Sequence, residues 1–264
     1  MDGAEIVSCR FDGLADGESA LKECRNIEAK SCFFNLRYPF WHVTNAIVSG
    51  CELTEKCRAA LWYDDGVTLE NCRMDGIKAL RECKNVVLTG DEIVSPEFLW
   101  RCRGVRIENC RLVSEYPLFE CANVRIEKLT MKGKYSFQYV ENAEIRDSEL
   151  DTKDAFWHSK NVTVYDSVIR GEYLGWYSEN LRLVRCKIIG TQPLCYCKGL
   201  ILEDCEMENT DLCFERSEVN ADVRGGIDSV KNPARGSITA DAIGEIIMEP
   251  EYTQPDQVEI RIGH

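Results

Sequence analysis

The chain has 264 residues, of which 44% are apolar and 29% are charged, so it can bury a core and does not have the composition of a disordered protein. No stretch reaches the roughly 18 consecutive apolar residues that a membrane-spanning helix needs, and the acidic first 30 residues contain no apolar run, so we expect no signal peptide. The net charge of −13 argues against nucleic-acid and anionic-membrane partners, because phosphate groups are bound through an excess of Lys and Arg.

The first element in the chain is a partial coil over residues 1–20. Ala4 and Ile6 alternate with polar residues, which predicts one short strand. The dipeptides Asp12-Gly13 and Asp16-Gly17 follow it and are typical of turns. We therefore expect a partial first coil and a loop before a regular pattern begins at residue 21.

Residues 21–212 repeat every 19 residues, with a single step of 21. One position of each repeat is Asn or Gly, in chain order Asn26, Asn45, Gly66, Asn85, Gly104, Asn123, Asn142, Asn161, Asn180 and Gly199. The positions one and three residues later are apolar, as in Val67 and Leu69, and this alternation is typical of strands. Asn and Gly share a position because both tolerate the left-handed backbone that a sharp corner requires.

A coil of this length closes on itself and stacks on the next coil at roughly 4.8 Å. The sequence therefore predicts an all-β fold, a parallel β-helix (solenoid) of about ten regular 19-residue coils plus irregular ends. Equivalent residues such as Val67, Val86 and Val105 should lie above one another. Leucine-rich repeats fit less well because they place Asn after their apolar pair, and left-handed hexapeptide helices need a six-residue sub-period.

The pattern degrades after Asn209. Residues 213–248 predict irregular closing coils, and in the tail, residues 249–264, the alternating segment Val258–Ile262 predicts an edge strand. The whole chain, residues 1–264, is thus predicted to be a single β-helix domain. Neither end shows an amphipathic helix that would cap it, so we expect the ends or an aromatic face to permit a homo-oligomer.

Fifteen cysteines without an expected export signal predict free thiols in a reducing, cytoplasmic compartment. Cys alternates with Ser at two repeat positions, the first being Cys32, Cys51, Cys72, Cys110, Ser148, Ser167, Cys186 and Cys205 and the second Cys24, Cys83, Cys102, Cys121, Ser159, Ser178 and Cys197. This exchange favours small, inward-packed side chains over reactive thiols. The sequence has no C-x-x-C and no His cluster, so we predict no metal and no cofactor.

Four segments resemble a bacterial family of unknown function: DGESALKEC at 16–24, RYPFWHVTN at 37–45, DTKDAFWHSKNVTVYDSVIRGEYLG at 151–175 and GTQPLCY at 190–196. The resemblance covers nearly the whole chain and implies a right-handed, pectin-lyase-like β-helix. It implies no activity, because none is established for that family. The hydrogenase label that some members carry has no counterpart here, since the sequence lacks a paired Cys ligand motif.

All five Trp residues share the repeat position four residues before Asn or Gly: Trp41, Trp62, Trp100, Trp157 and Trp176. The next position holds rings and charges, among them Glu82, Arg101, Glu120, Tyr139, His158 and Tyr177. If the Leu or Phe before each Trp points inward, the Trp points outward and forms an apolar stripe. Such a stripe suits sugar rings or a protein partner. In the alternative interpretation the strand twists and the Trp side chains pack under loops or in the core.

Three groups of residues are candidates for chemistry. Asp154, His158 and Tyr139 have the residue types for acid–base catalysis, the alternative being a hydrogen-bonded surface His. Glu82 and Glu120 have the residue type of a glycosidase pair, but Arg101 between them favours a solvent-exposed ion-pair ladder. Asp64 and Asp65 are the only acidic pair expected near the aromatic face, where a lyase would need calcium ligands.

The sequence thus favours a cytoplasmic binding protein that uses an outer aromatic face for carbohydrate. The predicted ligand-binding residues are Trp41, Trp62, Trp100, Trp157, Trp176, Tyr177, Glu82, Arg101 and Glu120. Two alternatives stay open. One is a carbohydrate-active enzyme of lyase or hydrolase type with Asp154, His158 and Tyr139 as its catalytic residues, and the other is a structural or assembly protein.

Overall fold

The computed structural model describes residues 1–13, 19–253 and 255–263. The fold is an all-β, right-handed parallel β-helix of about 13 turns, which confirms the predicted fold class. The turns outnumber the ten predicted regular coils because strands before residue 21 and after residue 212 add further turns. Residues 14–18, which hold part of the predicted first loop, and His264 lie outside the described residues.

The chain divides into two compact units, Met1–Gly133 and Lys134–His264, so the single domain over residues 1–264 stays a prediction. Each turn of unit 1 carries a longer and a shorter strand that pair in parallel with their equivalents in the next turn. The strands of unit 1 are β1 Glu5–Val7, β2 Arg10–Asp12, β3 Arg25–Lys30, β4 Phe33–Asn35, β5 Thr44–Ser49, β6 Glu52–Leu53, β7 Asp65–Glu70, β8 Arg73–Met74, β9 Lys84–Thr89, β10 Glu92–Val94, β11 Arg103–Glu108, β12 Arg111–Glu115 and β13 Ala122–Glu127, with β14 Thr130–Lys134 at the division.

Unit 2 begins with the same two-strand turn and ends with longer, continuous strands. Its strands are β15 Glu141–Arg146, β16 Glu149–Lys153, β17 Lys160–Tyr165, β18 Val168–Arg170, β19 Glu179–Val184, β20 Lys187–Ile189, β21 Leu200–Glu208, β22 Glu218–Lys231, β23 Arg235–Ile247 and β24 Val258–Ile262, with a short 3-10 helix at Pro255–Gln257. β22 and β23 pair along most of their length, and β24 adds to β23. In the described part of the chain, no helix has both the length and the apolar character that crossing a bilayer requires.

The register is the one that the repeat predicts. Val67 pairs with Val86, and Val86 pairs with Val105, so equivalent residues of successive turns lie above one another. The apolar positions one and three residues after each Asn or Gly face inward and are buried, and large rings fill the interior; Phe137 and Phe156, for example, stack with their ring centroids 4.7 Å apart. The chain's own side chains therefore fill this narrow interior, so a ligand would have to bind at the outer surface.

The Asn and Gly corners have the left-handed backbone that the sequence predicts, with φ between 50° and 74° at all ten positions. Asn side chains also bond from turn to turn: the amide of Asn45 donates to Asn26 at 3.0 Å, and that of Asn180 donates to Asn161 at 2.9 Å. Gly66 leaves room for such a side chain, because a Cβ there would lie 2.8 Å from Oδ1 of Asn45.

A second left-handed segment precedes each corner, and the sequence did not predict it because its residues are bulky. In one turn Ala59, Leu61 and Tyr63 all have φ between 54° and 63°, which costs energy for residues with a Cβ. Their N–H groups donate to carbonyls of adjacent turns, at 2.8 Å from Ala59 to Ile77, 2.9 Å from Leu61 to Pro39 and 2.9 Å from Tyr63 to Arg81. These bonds between turns offset the strain and fix where the side chains of this segment point.

The two Cys/Ser positions are buried, as the packing interpretation predicts, and all fifteen cysteines are free. Thiols at both positions donate to backbone carbonyls of the preceding turn: the Cys83 thiol donates to the Leu61 carbonyl at 2.9 Å, and the Cys205 thiol donates to the Leu183 carbonyl at 3.3 Å. The Ser side chains bond differently, since the Ser148 hydroxyl donates to the Arg146 carbonyl of its own turn and the Ser159 hydroxyl has no partner among the described residues. Cys and Ser can replace each other at these positions because both side chains are small enough to pack there.

The expected acidic pair does not form. Asp64 points inward and is 1% exposed, because it occupies the buried position that Cys83 fills in the next turn, whereas Asp65 points outward and accepts a hydrogen bond from Asn85 at 2.8 Å. Burial raises the pKa of Asp64 to about 8, although its Oδ1 accepts a 2.7 Å bond from the Val43 N–H. Its Oδ2 has no hydrogen-bond partner among the described residues.

Candidate functional site

The Trp side chains are half-buried, and the polar atom of each indole is used inside the protein. Each Nε1–H donates to the carbonyl of a left-handed residue in the next turn: Trp41 to Ala59 at 2.5 Å, Trp62 to Lys78 at 2.5 Å, Trp100 to Tyr116 at 2.6 Å, Trp157 to Tyr173 at 2.7 Å and Trp176 to Gln192 at 2.8 Å. The expected fully outward stripe is therefore a half-buried row. The indoles pack along the corner because the left-handed segment, unlike a regular strand, does not alternate strictly inward and outward.

In unit 1 this row is a continuous stack that covers its own ring faces. Trp41 and Trp62 stack at 5.3 Å, the Arg81 guanidinium lies 4.8 Å from the Trp62 ring and 4.5 Å from the Trp100 ring, and Phe119 follows at 5.1 Å from Trp100. Both faces of Trp62 and of Trp100 are therefore occupied. A sugar ring cannot stack on either face without displacing a neighbour.

In unit 2 the exposed rings lie at the repeat position directly after the Trp position. Tyr139, His158, Tyr177 and Tyr196, which we call the Tyr/His ladder, stack with ring centroids 4.9, 5.0 and 4.8 Å apart and ring planes within 11° of parallel. Tyr139 is 46% exposed and Tyr177 is 44% exposed. Because the rings cover one another's faces, the ladder presents ring edges to solvent, and these carry phenol hydroxyls and imidazole nitrogen.

The same position in unit 1 begins with rings and continues with charges. His42 and Tyr63 stack at 4.9 Å. In the following turns Nε of Arg101 lies 2.8 Å from Oε2 of Glu120, and its Nη1 lies 4.0 Å from Oε1 of Glu82. All three charged side chains are exposed, which is the ion-pair ladder that the alternating charges predict.

The predicted catalytic residues are only partly assembled. Tyr139 and His158 are in ring contact, but among the described residues no hydrogen bond joins Asp154 to His158. Asp154 is buried, and burial is the main cause that raises the pKa of its carboxyl, with Lys153 acting in the opposite direction. A base that is not oriented by a carboxylate lacks one element of acid–base catalysis, so the catalytic role stays a prediction.

Within the described residues no group of three or more His, Cys, Asp or Glu side chains could hold a metal ion. A pocket that the sequence did not indicate lies beside β22 and β23, with a volume of about 570 Å³, and Asn220, Gln257 and the ion pair between Arg235 and Glu218 (2.8 Å) are among its lining groups. It replaces the regular Asn/Gly corner after Gly199, where the repeat pattern is already irregular.

The ladder itself was visible in the sequence but was given less weight than the Trp row. Tyr139, His158 and Tyr177 are among the predicted catalytic or ligand-binding residues, whereas Tyr196 is not. The signal that identifies the four as one surface is their spacing of 19 residues. The four rings are exposed because the backbone of their segment is left-handed. Bulky residues do not predict this backbone conformation.

Comparison with known proteins gives a family and a fold. Residues 1–261 match the family described as "Protein of unknown function (DUF3737)", and the chain belongs to that family. No curated protein sequence matches the chain.

Solved structures with similar folds include the fluoroquinolone resistance protein QnrB1 (11% identity, 79% of this chain and 91% of that chain, TM-score 0.29). They also include the mannuronan C-5 epimerase AlgE4 A-module of Azotobacter vinelandii (7% identity, 99% and 77%, TM-score 0.33) and PfbA, a surface adhesin of Streptococcus pneumoniae (7% identity, 94% and 74%, TM-score 0.33). At these identities and TM-scores the likenesses carry no argument about function.

Proposed function

We propose that this member of a family of unknown function binds carbohydrate through the exposed edges of the Tyr/His ladder. The observation that carries the proposal is a row of four stacked rings, Tyr139, His158, Tyr177 and Tyr196, at the surface of unit 2. Phenol hydroxyls donate and accept hydrogen bonds, and a neutral imidazole does both through its two nitrogens. Sugar hydroxyls need both functions within a short distance, and the ladder offers both at Tyr139, His158 and Tyr177, while the Tyr196 hydroxyl at its end donates to Oε2 of Glu215 at 3.5 Å.

The ladder is held rigidly, which lowers the entropy cost of binding. Trp176 meets the Tyr196 ring at 5.4 Å and 71°, and Trp176 also stacks on Trp157 at 5.4 Å. The backbone of the ladder residues is fixed by hydrogen bonds between turns, such as that from the Tyr177 N–H to the Cys195 carbonyl at 3.1 Å. In this proposal the predicted ligand-binding residues Trp157 and Trp176 support the ladder, and Tyr177 contacts the ligand.

The proposal is tested by a glycan array followed by calorimetric titration of the best ligand. The variant Tyr177→Ala removes one central ring edge and should weaken binding about tenfold. Tyr63→Ala is the matched control, because Tyr63 occupies the same repeat position in unit 1, is 40% exposed and belongs to a stack of only two rings. It should leave the affinity unchanged.

Circular dichroism must show that both variants keep the β-sheet spectrum. The proposal is wrong if no glycan binds the natural chain, or if Tyr177→Ala and Tyr63→Ala weaken binding equally.

We also propose that the protein works in a reducing compartment such as the cytoplasm. Supporting this, fourteen of the fifteen cysteines are buried as free thiols, and Cys9 alone is exposed. Thiols that serve as packed donors in the interior do not need a partner. Expression in an oxidising and in a reducing compartment, followed by titration of free thiols in denaturant, tests this; fewer than fifteen thiols in the reduced preparation would contradict it.

A further inference from the structure

We infer that the ligand of the Tyr/His ladder is a linear, uncharged polysaccharide that lies along the stack with about one sugar per turn; this inference rests on the proposed carbohydrate function. Two observations carry it. One is the uniform repeat of the ladder, and the other is the sign pattern of the charges beside it.

The repeat of the ladder is set by the backbone rather than by individual side chains. Each ring occupies the same position of a successive turn, so the centroid distances of 4.9, 5.0 and 4.8 Å follow the spacing between parallel strands. The length of one hexose unit in an extended chain is close to this spacing. A linear polymer can therefore place hydroxyls of successive sugars against successive ring edges, whereas a monosaccharide or a compact branched glycan reaches one or two edges.

A row of charges runs beside the ladder, two residues further along each turn, and its signs alternate. The row is Glu141, Lys160, Glu179 and Lys198. Glu141 pairs with Lys160 and Lys160 with Glu179 across adjacent strands, while Glu179 and Lys198 form an isolated bridge. Nζ of Lys160 lies 3.8 Å from Oε2 of Glu179.

This row and the ladder are both on the outer surface, since Tyr139 and Tyr177 are 46% and 44% exposed and Glu141, Lys160 and Lys198 are exposed as well. A polymer lying along the ladder therefore passes negative and positive groups in turn. A polyanion or a polycation meets two repelling and two attracting groups, so the row gives it no net attraction to offset the desolvation of its own charges. An uncharged chain meets no repulsion, and its hydroxyls can bond to either kind of group.

The length dependence of affinity is the direct test. Linear β-1,4-linked glucose oligomers of two to six units are titrated against the natural chain, with glucose and a cyclic glucose oligomer as comparison ligands. Each added sugar should improve affinity by about three-fold to ten-fold until four rings are engaged, after which the affinity levels off. The glucose oligomers are probes of length; mannose or N-acetylglucosamine oligomers of the same lengths extend the series if they bind more tightly.

Charge is tested with Glu179→Lys, which gives the row three positive groups and one negative group. This variant should gain binding to linear uronate oligomers and keep its affinity for the neutral oligomers within about two-fold. A matched variant, Glu92→Lys, adds the same charge on an exposed strand of unit 1 and should gain nothing.

The outcomes separate this inference from the function on which it rests. Affinity that is equal for dimer and hexamer, or that is tightest for uronate or amino-sugar oligomers, overturns the linear and uncharged ligand while carbohydrate binding stands. Failure of every glycan to bind overturns the carbohydrate function itself. A rising affinity that levels off near four sugars and is lost in Tyr177→Ala supports both.

Discussion

The two units use the same pair of repeat positions in opposite ways. In unit 1 the Trp position forms the long stack, with Arg81 inserted between Trp62 and Trp100, while the next position has only two rings before it becomes an ion-pair ladder. In unit 2 the Trp position has two stacked indoles, and the next position carries the four rings of the Tyr/His ladder. The backbone fixes the spacing of both rows, and side-chain identity decides which row carries the exposed stacked rings.

The interiors differ as well. At the two Cys/Ser positions unit 2 has small, uncharged side chains such as Ser159 and Ser178, whereas unit 1 contains the buried acids Asp64 and Asp91. Asp91 accepts N–H bonds from Cys72 at 2.7 Å and from Thr89 at 3.0 Å, and burial raises its pKa only to about 6. Asp64 has a single such bond. A buried acid is thus tolerated in proportion to the donors that the neighbouring backbone offers it.

The largest expected effect tests whether the interiors of the two units contribute equally to the free energy of unfolding in spite of this difference. Phe156→Ala in unit 2 and Phe40→Ala in unit 1 each remove a fully buried ring that packs on another ring, at 4.7 Å from Phe137 and 4.9 Å from Phe34 respectively. Each substitution should lower the free energy of unfolding by about 3–5 kcal/mol in urea denaturation. Phe156→Leu is the conservative control and should cost clearly less. If only one of the two Phe→Ala substitutions lowered the free energy of unfolding, the interior of the other unit would have repacked around the lost ring.

The next effect concerns Asp64 and the dependence of stability on pH. The folded pKa of about 8 lies above the ordinary value of 3.8, so between these values the folded chain holds a proton that the unfolded chain has released. The free energy of unfolding should therefore fall as pH rises through this window, by at most about 1.4 kcal/mol per pH unit from this group. Asp64→Ser supplies the small donor found in unit 2 and should stabilise the protein by about 1–3 kcal/mol at pH 8.

Urea denaturation from pH 4 to pH 8 checks this prediction. The natural chain should show the slope and Asp64→Ser should reduce it, while Ser159→Ala in unit 2 should shift the whole curve without changing its slope. Parallel curves for the natural chain and Asp64→Ser would mean that Asp64 is ionised in the folded protein.

The third effect concerns the charge inside the Trp stack of unit 1. The Arg81 guanidinium contacts two indole faces, and its Nη2 lies 3.0 Å from Oε2 of Glu97. Arg81→Ala should cost about 1–2 kcal/mol of unfolding free energy and change the near-ultraviolet dichroism of the indoles. Arg81→Lys keeps the charge but not the planar group, so it should recover only part of the loss. Full recovery by Lys would show that the ion pair, and not the stacking, holds the row together.

These differences also show what a sequence of this kind can predict. The 19-residue period predicted the parallel pairing, the register of Val67, Val86 and Val105, and the left-handed Asn and Gly corners, because a stacked coil repeats its geometry in every turn. It also contained the position of Asp64, which lies 19 residues before the buried Cys83. Asp64 was instead assigned to a corner, because a carboxylate is expected at the surface.

The orientation of the Trp row could not be predicted in this way. Strict alternation along a strand would place Leu61 inward and Trp62 outward. The segment has a left-handed backbone at Leu61 and Tyr63, which hydrogen bonds between turns stabilise and which residue preferences disfavour. Long-range bonds of this kind leave no local sequence signal. As a result the exposed rings lie one position later than the Trp residues.

The smallest expected effect belongs to the ion-pair ladder that replaces the rings in unit 1. Arg101 is bonded to Glu120 at 2.8 Å, but all partners are exposed, so the attraction is screened by water and salt. Arg101→Ala should leave the urea midpoint within the spread of replicate measurements, and glycan affinity should not change if the ligand lies on the Tyr/His ladder. If Arg101→Ala weakened glycan binding as much as Tyr177→Ala does, the charged position of unit 1 would belong to the binding surface, and the contrast between the two units would not hold.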